Sequence, residues 1–335
     1  LFLDTPKEPT VEEQNKDYLA VFQAFPEGKV VVRTLDAGSD KPVPFATLTE
    51  EFNPALGVRG IRVTGQDPEL MLHQLDAIAE AAKESPGTAA WVMAPMISTI
   101  PEAEWFAALC RERGLKPGIM IEVPAAVILI TKFLSIVDFV SIGTNDLTQY
   151  TMAADRMSPH LAEYTDPWQP AVLELIAWTA AAGQEQSKPA GVCGEAAADP
   201  TLACVLIGMG ITSLSMATNA ISSVGATLAH VTMAQCREAA QAVRGARDSR
   251  EARSLARSAL GMAETVSCLP LEVPIELGAT RRRQFAICRT SPSATRERSP
   301  CLRRGREPSP PRSAWQPAAP GLPLALRTLL CDRAL

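Results

Sequence analysis

The sequence lacks the cysteine pattern that would organise a metal site or a covalent framework. It has 8 cysteines in 335 residues, yet no two form a CxxC pair and none recur at a ligand spacing. That argues against a zinc centre and a disulfide scaffold, and it points to a reducing cytosol. No apolar run reaches the roughly 18 residues that span a bilayer, so no membrane partner is expected. No signal peptide is visible, because the stretch from Leu1 to Tyr18 is mostly polar and acidic. A starting Met is lacking, and the chain opens on Leu1-Phe2-Leu3, which reads as a fragment. Neither GxGxxG after a strand nor GxxxxGKS/T occurs, which disfavours a nucleotide-binding fold. Histidine is confined to His73, His160 and His230, and lysine stops at Lys188.

What is present fits a globular protein with a large core. Apolar residues make up 47% and charged residues 21%, and a chain this long needs no cross-links to bury that core. The net charge of −5 is unevenly spread. From Arg281 onward there are 12 arginines against 3 acidic residues. The Arg/Pro/Ser-rich stretch 263–335 buries too little apolar surface to offset its ordering entropy, so it reads as a disordered tail. A basic arm for an anionic partner is the alternative. The disordered extension is the stronger reading, and no nucleic-acid partner is expected.

Residues 1–262 alternate short apolar runs with helical patterns. Strands are predicted at Lys29–Asp36, Ala90–Met96, Gly118–Glu122, Phe139–Gly143, Ala190–Cys193 and Ser213–Met216, with a weaker one at Gly60–Val63. Helices are predicted at Asp67–Lys83, Ile100–Glu112, Ala125–Leu134, Pro170–Ala182, Asp199–Ile207 and, with breaks, Ser222–Leu260. Gly114 would close the second of these. Buried, non-alternating strands between helices imply a parallel sheet. Polar residues follow strand after strand: Arg33 and Asp36, Glu122, Asn145 and Asp146, Cys193 and Glu195. Functional groups on the C-terminal ends of several strands are the habit of the (β/α)8 barrel.

Five ordered stretches carry a family resemblance. They are Val32-Arg33-Thr34-Leu35-Asp36 with Asp40-Lys41, Asn53 to Arg62, Met120 to Ala126, the run Ser141 to Tyr150 continuing to Ala154-Asp155-Arg156, and Gly191-Val192-Cys193-Gly194-Glu195. Together they resemble the phosphoenolpyruvate (PEP)-binding barrel of enzyme I, the PEP–protein phosphotransferase of the bacterial sugar phosphotransferase system. Shorter pieces also resemble pyruvate phosphate dikinase and PEP synthase. The resemblance implies an α/β fold, a (β/α)8 TIM-type barrel of the PEP-utilising class with its first strand incomplete. It also implies that the family's histidine-bearing domain is absent from this chain. Two loops depart from the family pattern: Ser39 stands for a Gly, and Ala198 for a Gly before Asp199.

PEP carries a phosphate and a carboxylate, for which arginine forks are suited. The resemblance implies substrate binding by Arg33, Arg59, Asn145, Asp146 and Arg156, while Arg62 reads as structural. It implies Mg2+ held by Glu122 and Asp146, each of which has an alternative as a helix cap. Cys193 would be the acid that protonates the pyruvate enolate, although a buried core cysteine looks the same in sequence. Cys110 and Cys204 read as helix core and His73 and His230 as structural or solvated, while His160, after the Asp155-Arg156 loop, has the pocket edge as its minor alternative. The implied partners are PEP and pyruvate, a histidine-bearing phosphotransfer domain, the phosphocarrier protein HPr and a second copy of the barrel, all in the cytoplasm. The alternatives are an inactive PEP-binding or dimerisation remnant, a dikinase or synthase barrel and, more distantly, a metal-dependent aldolase or lyase.

Overall fold

A computed structural model of the chain describes residues 2, 5–38, 42–47 and 51–262. The expected tail at 263–335 and the loop residues Ser39, Asp40 and Lys41 lie outside them.

Six strands form one parallel sheet in sequential order. They are β1 (Lys29–Arg33), β2 (Ala89–Ala94), β3 (Lys116–Ile121), β4 (Phe139–Gly143), β5 (Ala190–Cys193) and β6 (Ser213–Ser215). The helices are α1 (Val11–Ala24), α2 (Pro68–Glu84), α3 (Ile100–Glu112), α4 (Pro124–Ile128), α5 (Ile130–Ile136), α6 (Thr144–Met152), α7 (Pro170–Glu185), α8 (Glu195–Ala198), α9 (Pro200–Met209), α10 (Thr218–Ala229), α11 (Met233–Val243) and α12 (Ser249–Ala259).

The strand order has a physical consequence. Crossovers of one hand between consecutive parallel strands put the connecting helices on the same face of the sheet. Val30, Val32, Val92, Ala94, Ile119, Ile121, Val140, Ile142, Val192 and Leu214 are buried and belong to one core with Phe22, Leu75, Phe106, Phe133, Ile176 and Leu206 from the helices. The residues between them point the other way. Yet β4 is buried on both faces, as is β3 apart from Lys116. The sheet therefore curls on itself, and the described residues make a six-stranded portion of a barrel. The barrel-type class expected from the sequence holds.

Local sequence explains most boundaries. Thr99 and Glu102 form a capping box at the start of α3, and Gly114 takes φ +72° just past its end, as expected. Asp199 caps α9 by accepting from the N–H groups of Thr201 and Leu202. Its backbone is extended, and Ala198 is not in the left-handed region, so the alanine in place of the family's glycine is accommodated. Three expectations need correction. Gly60–Gly65 is a 3-10 helix and not a strand, since Gly60 at φ +57° turns the chain where a strand would run. The helix expected at 125–134 is two helices, α4 and α5, meeting at Leu129. The broken helix expected at 222–260 is the three helices α10, α11 and α12.

Candidate active site

Because all six strands run parallel, their C-terminal ends share one rim. Arg33 ends β1, Glu122 follows β3, Asn145 and Asp146 open α6 directly after β4, and Cys193 ends β5. No loop separates β4 from α6, so Asp146 sits in the first helical turn, where the helix dipole favours a carboxylate.

Arg59 is the centre of the cluster. It is 0% exposed. Its Nη1 donates to Asp146 Oδ1 at 3.1 Å and its Nη2 to Asp36 Oδ2 at 3.2 Å. Tyr150 Oη lies 3.5 Å from Nη1. The Tyr150 hydroxyl in turn donates to the carbonyl of Ala55, pinning the loop that leads into Arg59. Arg62 turns away and donates to the carbonyls of Leu56 and Gly57, the structural role expected of it.

Arg33 and Arg156 flank this pair and stay partly open to solvent. The Arg33 side chain is 36% exposed, with Nη1 3.8 Å from Asp36 Oδ2 and 4.0 Å from Met120 Sδ. Arg156 Nη1 lies 3.4 Å from Asp146 Oδ1. Its backbone N–H donates to Gln149 Oε1 at 3.0 Å, which ties the loop after α6 back onto that helix. The chain turns into this loop at Ala153, in the left-handed region at φ +51°.

Glu122 faces the same cluster from β3. It does not cap α4, whose N-cap is Val123. Its Oε1 accepts from the Met96 backbone N–H at 2.6 Å. Met96 takes φ +62°, an unusual backbone for that residue, and this aims its N–H into the rim. Across β4, a Cβ on Gly143 would stand 2.7 Å from Glu122 Oε2 and 3.0 Å from Met120 Sδ. Gly143 therefore leaves the room that the carboxylate occupies. Burial first, then Asp36 and Asp146, push the Glu122 carboxyl up to about 7. Among the described residues, no arginine or lysine lies within ion-pair distance of it.

Asp36 and Asp146 thus meet one fully buried guanidinium and two partly exposed ones, with the Glu122 carboxylate beside them. No group of three or more His, Cys, Asp or Glu side chains among the described residues is poised to hold a metal alone. Mg2+ does not need one, since it commonly takes one or two carboxylates and fills its shell with water and substrate oxygens. Glu122, buried beside two other carboxylates and with no ion-pair contact to an arginine or lysine among the described residues, suits such an ion.

Cys193 is half-buried, with its thiol 3.4 Å from the carbonyl of Ile142. Thr144 Oγ1 donates to the carbonyl of Cys193 at 2.9 Å, fixing the ends of β4 and β5 together. Asn145 is exposed, and its Oδ1 accepts from Glu195 N–H at 3.4 Å. Cys110 and Cys204 are buried core residues, as expected. His73 pairs with Glu8 at 3.0 Å, His230 binds the Ala226 carbonyl at 2.7 Å, and His160 is exposed beyond α6. Asp36, Met96, Gln149 and Tyr150 complete the rim and were not singled out as site residues from the sequence. Asp36 was visible as a polar residue after a strand, whereas the Met96 N–H had no sequence signal.

Comparison with known proteins places the chain in a family. Residues 1–233 match the family described as PEP-utilising enzyme, PEP-binding domain. A phosphoenolpyruvate-protein phosphotransferase of Streptomyces coelicolor is 50% identical over 263 residues, which cover 78% of this chain and 47% of that protein. One of the same name from Haloferax volcanii is 41% identical, with 72% and 45% covered. A multiphosphoryl transfer protein of Xanthomonas campestris pv. campestris is 43% identical, with 68% of this chain and 28% of that protein covered. The chain spans about half the length, or less, of the curated relatives it matches. The chain belongs to the family of PEP-binding domains of PEP-utilising enzymes.

Proposed function

We propose that the chain is the substrate domain of a PEP–protein phosphotransferase, binding PEP with Mg2+ on the rim of the barrel. The observation that carries this reading is the convergence of Arg33, Arg59, Arg156, Glu122 and Asp146 on one rim. Arg33 and Arg156 are the accessible cations and take the phosphate by charge-assisted hydrogen bonds. The Asn145 amide adds a neutral donor. Arg59 is enclosed by Asp36 and Asp146, so its first task is to hold those carboxylates in place. Glu122 and Asp146 would hold the Mg2+, and the bound ion supplies charge stabilisation to the enolate oxygen.

The reaction breaks the bond between phosphorus and the enol oxygen and forms one from phosphorus to a histidine nitrogen. That histidine belongs to a histidine-bearing phosphotransfer domain, since none of this chain's three is part of the rim as described. The enolate methylene carbon then takes a proton from the Cys193 thiol, giving pyruvate. In this scheme the histidine domain passes the phosphoryl group to the phosphocarrier protein HPr for sugar uptake, in the cytoplasm, with the barrel paired as a homodimer.

The test supplies the histidine domain of a relative in trans, with Mg2+ and phosphorus-labelled PEP. Label is expected on the histidine domain with the wild-type chain and is expected to be lost with Arg33→Ala. Absence of label with the wild-type chain would reduce the proposal to a PEP-binding unit that transfers nothing.

A further inference from the structure

The opposite end of the same barrel interior carries a second cluster of positive charge. Lys29 is the first residue of β1 and Lys116 the first of β3. Between them on β2 stands Trp91, paired in register with Lys116. Lys29 Nζ lies 4.3 Å and Lys116 Nζ 4.4 Å from the centre of the Trp91 ring. Strand alternation puts all three on the interior face, since Val30, Val32, Val92 and Ile119 point to the helices. Lys29 and Arg33 are four residues apart on that face, about 13 Å along the strand. This cluster is therefore separate from the rim that holds Arg33 and Glu122.

Two like charges drawn to one aromatic ring need an explanation. Cation–π attraction to Trp91 offsets part of their repulsion. Among the described residues no carboxylate forms an ion pair with either lysine. Lys29 is half-buried, and burial, then Lys116, hold its amine below the ordinary lysine value. The ring of Phe139 packs 4.8 Å from that of Trp91 and closes the apolar floor. The two ammonium groups can be no further apart than their two spans to the ring combined. A small anion seated at the edge of the ring, and not across it, is the one that can offer an oxygen to each amine.

We propose that Lys29, Trp91 and Lys116 form a binding site for a small dianion, phosphate or a phosphate ester, at the N-terminal end of the barrel interior. The lysines supply charge and donors, and Trp91 fixes their spacing. The site does not depend on the function proposed above for the opposite rim.

The test titrates inorganic phosphate into the chain and follows tryptophan fluorescence and calorimetric heat, with sodium chloride at matched ionic strength as control. The Arg33→Ala background weakens phosphate binding at the rim, so a response kept there reports the second site. A saturable response is expected in the wild type and in Arg33→Ala. It should weaken at least about tenfold in Lys29→Met and in Lys116→Met, the scale of one charge-assisted hydrogen bond, and persist in Lys116→Arg. Circular dichroism checks that each variant is folded. An unchanged phosphate response in the folded Lys29→Met, Lys116→Met double variant would overturn the site. An equal response to chloride would overturn it too.

Discussion

Replacing Glu122 with glutamine should stabilise the metal-free protein at alkaline pH, although it removes a carboxylate from the proposed site. The carboxyl sits at about 7 in the folded protein against an ordinary value of 4.5. Between those values the folded state holds a proton that the unfolded state has released. Stability must then fall as pH rises through that window. At about 1.4 kcal/mol per tenfold, the gap corresponds to about 3 kcal/mol lost by pH 8. Glutamine has the same shape and keeps an oxygen for the Met96 N–H, so that hydrogen bond survives. Its amide also suits the neighbouring carboxylates Asp36 and Asp146. The assay is urea unfolding followed by circular dichroism between pH 4.5 and 8, in a chelator, with the two proteins side by side. Contributions from other groups largely cancel in the difference. The Gln variant should gain on the wild type by about 3 kcal/mol across the window, and Mg2+ at pH 8 should restore the wild type alone. Parallel profiles would refute the charge balance derived for the site.

Other substitutions test neighbouring parts of the argument. Gly143→Ala places a methyl group 2.7 Å from Glu122 Oε2. It should cost about 1–3 kcal/mol of stability by overpacking and weaken Mg2+ binding, read by melts and by calorimetry. Arg59→Met leaves Asp36 and Asp146 without their buried partner and should cost about 3–5 kcal/mol in denaturant unfolding at pH 7. A loss below about 1 kcal/mol would mean that the buried guanidinium is not what holds the rim together. Cys193→Ala should bind PEP as the wild type does. It should also slow Mg2+-dependent exchange of the pyruvate methyl protons with solvent deuterium, followed by proton NMR, if the thiol is the acid.

The strands were legible because they are buried, and burial leaves a mark in composition. Phe139–Gly143 and Ala190–Cys193 were read to the residue, since neither face of β4 touches water and β5 is buried up to the half-exposed Cys193. The strand expected at Gly60–Val63 failed because two buried apolar residues, Ile61 and Val63, look alike in a strand and in a tight helix. The turn there rests on the positive φ of Gly60, which composition does not reveal. α1 went unread because its buried face is only Gln14, Tyr18 and Phe22, set in a polar and acidic segment. In the site, charged residues at strand ends pointed to the rim, but their pairing did not follow from sequence. Arg59 read as a substrate ligand, and the fold encloses it between two carboxylates. The room left by Gly143 and the N–H offered by Met96 exist only once β2, β3 and β4 are side by side.

The proposed function rests on PEP binding at this rim through its accessible arginines with the help of Mg2+. Isothermal calorimetry of the purified chain with PEP measures it directly, with and without Mg2+ and in Arg33→Ala. Saturable one-to-one binding is expected with Mg2+, with much weaker binding in a chelator and a loss of at least about tenfold in Arg33→Ala. Affinity in Arg33→Ala equal to that of the wild type, or binding indifferent to Mg2+, would contradict it.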